Sequence, residues 1–147
     1  MKRFVWMAFM PFALAGVLIA PQISPVSAQE EARESPAQRI LRVSREEAAD
    51  AARLKTVDGW LAKVSQNTGE TPDAIVYACM RNARYLLDAG KVRVAPVELL
   101  EALDAHSSAA EPLNDTLHRY DAARLAAPKS SHADAMRAMG AGGAERR

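Results

Sequence analysis

The sequence predicts an all-α protein: a small bundle of about four helices, near 44–66, 72–89, 96–105 and 112–126, with disordered ends. Three observations lead there. Thr71–Gly90 reads as a complete amphipathic helix with a start, one apolar face and a stop. Three further segments repeat apolar residues at helical spacing behind a proline or a capping residue. The one alternating segment, 91–95, would be a single strand, and a single strand makes no sheet.

The totals narrow the class. A chain of 147 residues with one cysteine gives room for one domain and for no disulfide within it. Aromatic residues make up only 5%, and much of the 49% apolar fraction is alanine, which favours helix and buries little surface. A formal charge of +1 gives no basis for a nucleic-acid partner.

The first 28 residues stand outside the expected domain. Lys2 and Arg3 form a short basic start, 4–20 is uncharged, and the stretch ends Val26-Ser27-Ala28, with the small residues that signal peptidase requires. This is the layout of a cleaved secretory signal peptide, which places the protein in the periplasm or outside the cell. The competing reading is an uncleaved membrane anchor, but Pro11 interrupts an apolar run already at the short end of a bilayer span. Cleavage removes two basic residues, and the +1 becomes −1.

The mature chain begins with a flexible or weakly helical lead-in, 29–43. Within it Ser35-Pro36-Ala37-Gln38 has capping-box spacing with proline at the first helical position. Ser44-Arg45-Glu46-Glu47 repeats the capping signal and opens the firm helix, where Leu54, Val57, Leu61 and Val64 recur at helical spacing with Trp60 at the edge. Gly59 either weakens this helix or admits a close neighbour. A short turn, 67–70, leads to the next helix as in a helical hairpin. There Thr71 caps, Pro72 starts, and Gly90 is expected in the left-handed conformation that stops it. Ile75, Val76, Cys79, Met80, Ala83, Leu86 and Leu87 share its inner face, onto which the other helices are expected to pack.

Residues 91–95 read as a linker pinned to the core by its valines. Pro96 opens a short helix with Val97, Leu99, Leu100 and Leu103 inward. Glu111-Pro112 opens another with Leu113, Leu117 and Tyr120 inward, and Pro128 stops it. The tail, 128–147, has no apolar stripe strong enough to offset its ordering entropy and is expected to be disordered. The domain is then 44–127, and a core of that size supplies only about 3–5 kcal/mol. A second copy or a partner would relieve that marginality.

No motif for catalysis, cofactor or metal binding is present: no glycine-rich phosphate loop, Cys-x-x-Cys, His-Glu-x-x-His or Gly-x-Ser-x-Gly. Cys79 lies on an apolar face and reads as a small core hydrophobe. Glu111, Asp115 and His118 share a helical face, but it lies opposite the apolar stripe, whereas bundle metal sites point inward. Residues 61–84 match a helix-turn-helix loosely, with Pro72, Asp73 and Tyr77 where phosphate-binding residues belong, and export argues against DNA. The candidate contact surface is the polar stripe Tyr77, Arg81 and Arg84, with Trp60 as a possible anchor, each weighed against an ordinary solvated face or core position. The expectation is a bacterial exported helical protein that acts by binding an envelope protein or itself, with no catalysis and no cofactor. The alternatives are a periplasmic carrier of a small ligand or metal, and a membrane-tethered protein that keeps its first segment.

Overall fold

The computed structural model describes residues 34–46 and 49–144. The signal peptide with its cleavage site, and most of the lead-in before Pro36, lie outside the described residues. Those described form six helices and no strand: α1 (Pro36–Val43), α2 (Ala51–Thr68), α3 (Pro72–Gly90), α4 (Pro96–His106), α5 (Leu113–Ala126) and α6 (His132–Ala144). The all-α expectation stands. The count of four is corrected to six, because a helix forms at each end of the expected domain.

α1 follows from its capping box. The Gln38 N–H donates to Ser35 Oγ at 3.2 Å, and the Ser35 N–H donates to Gln38 Oε1 at 2.8 Å. Little more than two turns is too short to stand alone, so burial of Ala37, Ile40 and Leu41 holds it. It ends at Ser44, with Arg45 left-handed at φ 66° and the Glu46 N–H donating back to the Leu41 carbonyl at 2.9 Å. The expected start of the second helix at 44 is therefore wrong. That helix, α2, starts at Ala51, where Asp50 accepts from the Arg53 N–H at 2.8 Å.

Ser44 does cap a helix, but a distant one. Its Oγ accepts from the Val97 N–H at 3.0 Å, at the first turn of α4. Ala95, the residue preceding α4, has no side-chain acceptor of its own.

The stripes on α2 and α5 lie where the spacing places them. Val57, Leu61 and Val64 are buried on α2, and Leu113, Leu117 and Tyr120 on α5. Gly59 is exposed with open space around it, so no helix approaches there. On α3, Ile75, Val76, Cys79 and Leu86 are buried as expected, but Met80 faces outward and Ala78 inward. Gly90 is the last helical residue, and Lys91 takes the left-handed position instead at φ 56°. The role of Gly90 is spatial: a Cβ there would overlap Leu125 Cδ2 of α5.

The centre of the bundle is α4. It packs against every other described helix, whereas α3 packs closely on α1, α2, α4 and α5. Val97, Leu99, Leu100, Ala102 and Leu103 are all buried, so more than one face of this short helix is covered. Its last turn is held by Lys63 of α2, which donates to the Asp104 carbonyl at 2.7 Å and pairs with Asp104 Oδ1 at 3.2 Å. A cation there also complements the negative end of the helix dipole.

The expected disordered tail holds α6. Ser131 and Asp134 cap it reciprocally, at 3.2 Å and 2.9 Å. Ala135 and Met139 are buried against the core. Tyr120, fully buried on α5, meets His132 Nδ1 at 2.9 Å, and Arg124 donates to the Ser130 carbonyl. These contacts lie on α5 and in the connecting loop, so no window confined to 128–147 reveals them.

Candidate functional site

α3 carries the most distinctive surface. Among the described residues the exposed large apolar side chains are Tyr77 (67% exposed), Tyr85 (51%) and Met80 (36%), all on this helix. Tyr77, Arg81 and Tyr85 stand four residues apart, so they line one stripe, with Met80 and Arg84 beside it. Arg84 pairs with Asp88 at 2.7 Å one turn on, with both side chains exposed. Arg81 donates to Asn114 Oδ1 of α5 at 3.2 Å. The structure thus brings Tyr77, Arg81 and Arg84 onto one face and adds Tyr85, which the sequence reading omitted although it lies eight residues from Tyr77. Trp60 sits half-buried against the core on α2, with the Arg53 guanidinium 5.2 Å from its ring centroid. Arg53 is itself held by Glu46 through contacts of 2.9 and 3.1 Å.

Beside that stripe an open groove of about 650 Å³ runs between α3 and α5. Arg81, Asn82 and Tyr85 form one wall, and Asn114, His118 and Asp121 the other. Asp121 is only 4% exposed. Its Oδ1 accepts from Asn82 Nδ2 at 2.5 Å, and its Oδ2 is buried with no hydrogen-bond partner among the described residues. Burial raises the carboxyl to a pKa of about 6, opposed by the Asn82 bond and by the nearby His118. Sequence reasoning missed Asp121. It lies one residue from the inward Tyr120, and only the packing of α3 on α5 draws it inside.

Cys79 is fully buried, and burial pushes its thiol up to about 12, so it has none of the thiolate character of a reactive cysteine. Glu111 turns away from Asp115 and His118. It accepts from Arg119 at 2.7 Å and from the Thr116 hydroxyl at 3.3 Å. Among the described residues no group of three or more His, Cys, Asp or Glu is arranged to hold a metal ion. Nor is any helix among them long and apolar enough to cross a membrane.

A second groove, of about 480 Å³, lies where the end of α1, the later turns of α3 and the 91–95 connection meet, with Arg45, Arg84 and Arg93 around it. No protein-family model matches the chain, and no curated protein or solved structure proved similar to it.

Proposed function

We propose that this is an exported, periplasmic or secreted helical module that works by binding another protein, with the outer face of α3 as its contact surface. The observation that carries the reading is the concentration of exposed Tyr77, Met80 and Tyr85 on one helix, interleaved with Arg81 and Arg84. Tyrosine, methionine and arginine are the residues enriched at the centres of protein interfaces. The partner is an envelope protein or a second copy of the chain. The layout of 1–28 supports export, and a protein that retained this segment would be tethered to the membrane. The test is gentle cross-linking of the tagged chain in its host, followed by mass spectrometry. One enriched partner, lost in Tyr77→Ala/Arg81→Glu and kept in Lys55→Gln, supports the reading. Recovery of an uncross-linked monomer overturns it.

A second reading has its own observation: the orphan Oδ2 of Asp121 under the α3–α5 groove. It suits a small ligand that brings a hydrogen-bond donor to that oxygen. A ligand panel that shifts the melting temperature of the wild type, and not that of Asp121→Asn, would favour it.

A further inference from the structure

We propose that the groove bounded by Arg45, Arg84 and Arg93 receives an acidic segment of the protein partner, one whose apolar side chains reach the groove floor. This names the chemistry of the partner in the interaction reading and rests on it, since Arg84 belongs to both surfaces.

The end of α1 brings one exposed guanidinium to this groove, Arg45, and α3 with the connection after it brings two more, Arg84 and Arg93. Between them lie Val43, Leu87 and Val94, and among the described residues no aspartate or glutamate lines it. Arg45 and Arg93 make no ion pair among the described residues. Arg84 has its exposed pair with Asp88, of a kind weak enough to be exchanged for a partner carboxylate. Arg45 also occupies a left-handed backbone position that disfavours a side chain and suits glycine. A guanidinium held there despite that cost is consistent with a use for it.

The groove also abuts the first turn of α4, whose dipole favours negative charge. Yet that turn is no open phosphate cradle. Pro96 has no N–H, the Val97 N–H is taken by Ser44, and the Ala95 N–H by Glu98 Oε2 at 2.9 Å. Recognition therefore falls to the spread guanidiniums and the apolar floor between them. Planar guanidiniums suit carboxylates bidentately, and an apolar floor suits the aliphatic residues between those carboxylates.

The test is fluorescence anisotropy with the purified full chain and a labelled peptide of alternating glutamate and leucine. Arg45→Gly removes a charge while relieving the backbone, so its melting temperature should match or exceed that of the wild type. Any loss of binding is then not unfolding. Arg45→Gly combined with Arg93→Gln should weaken binding at least tenfold. Lys55→Gln, an exposed charge control on α2, should change it less than twofold. A peptide with glutamine for glutamate should not bind, and alanine for leucine should weaken binding several-fold. Equal losses in the lysine control, or indifference to leucine, overturn the proposal in favour of unspecific charge attraction. Displacement by millimolar inorganic phosphate with no effect of the leucines overturns it in favour of a simple anion site. Binding to anionic lipid vesicles without binding to the peptide overturns it in favour of a membrane surface. If the cellular partner is lost in Tyr77→Ala/Arg81→Glu but retained in Arg45→Gly/Arg93→Gln, the groove assignment fails and the interaction reading survives.

Discussion

Asn82 of α3 and Asp121 of α5 are joined side chain to side chain at 2.5 Å, and among the described residues this one bond is all that satisfies a buried carboxyl at the base of the α3–α5 groove. With its pKa at about 6, against an ordinary 3.8, the folded chain keeps a proton that the unfolded chain has released. The stability contribution is therefore full below about pH 4 and is lost as pH rises to about 6. A shift of that size corresponds to about 3 kcal/mol at most. Glu34 and Asp134, held below the usual carboxylate range by Arg42 and by Ser131 respectively, act with the opposite sign at more acid pH. His106, whose imidazole burial holds below its ordinary pKa, acts in the opposite sense in the same range, since the unfolded chain binds that proton more tightly. The Asp121 part is isolated by difference: urea unfolding between pH 4.5 and 7.5 should show wild-type stability, taken relative to Asp121→Asn, falling as pH rises, with the variant the more stable at pH 7.5.

Ser44→Ala should destabilise the fold by about 1 kcal/mol, because the Val97 N–H loses its acceptor inside the junction of α1 and α4. Ser35→Ala removes a local cap of the same kind from α1. Hydrogen exchange separates the two: Ser44→Ala should loosen the first turn of α4, and Ser35→Ala that of α1.

Lys91→Gly should raise stability by about 0.5–1 kcal/mol, since the residue already sits at φ 56° and, among the described residues, its ammonium makes one marginal hydrogen bond, 3.5 Å from the Asp88 carbonyl. Gly90→Ala should couple to Leu125. Combined with Leu125→Ala, which clears the space, it should cost less than the sum of the two single changes. A thermal or urea series over these variants checks both expectations.

Cys79 should not react with a thiol reagent at pH 8 in the native state, because its pKa of about 12 and full burial leave almost no accessible thiolate. Labelling should follow the unfolding transition in urea. Labelling of native protein at the rate of a free thiol would contradict the packing of α3.

Met139→Asp should undock α6 by burying an unpaired charge. A cost of about 2–4 kcal/mol is expected if α6 folds with the rest. A smaller cost, with early proteolysis after Pro128, would mark α6 as a separately opening unit. Tyr120→Phe, which removes the hydroxyl from His132, should cost about 1 kcal/mol.

Where both the signal and its partner are local, the elements were legible in the sequence. Ser35 with Gln38, Thr71 with Pro72, and the Val57–Leu61–Val64 stripe each act within one or two turns, so spacing alone places them. The same holds for Tyr77, Arg81 and Arg84 as a shared face. What escaped was non-local. Ser44 resembles a local cap but serves a helix start 53 residues away. Ser131 and Asp134 had capping spacing too, but α6 has so thin an apolar stripe that only its docking on Tyr120 and the core makes it hold.

The sequence by itself determined an all-α architecture, most of its helix boundaries and most of the inward residues on α2 to α5, because these follow from backbone capping and from the helical repeat. Tertiary structure alone decided that the short α4 is the centre, that Gly90 is small for the sake of Leu125, and that Asp121 is buried beside Asn82. It also decided that Arg45, Arg84 and Arg93 meet around one groove. Each of these depends on which helices touch, and that is set by close packing between surfaces distant along the chain.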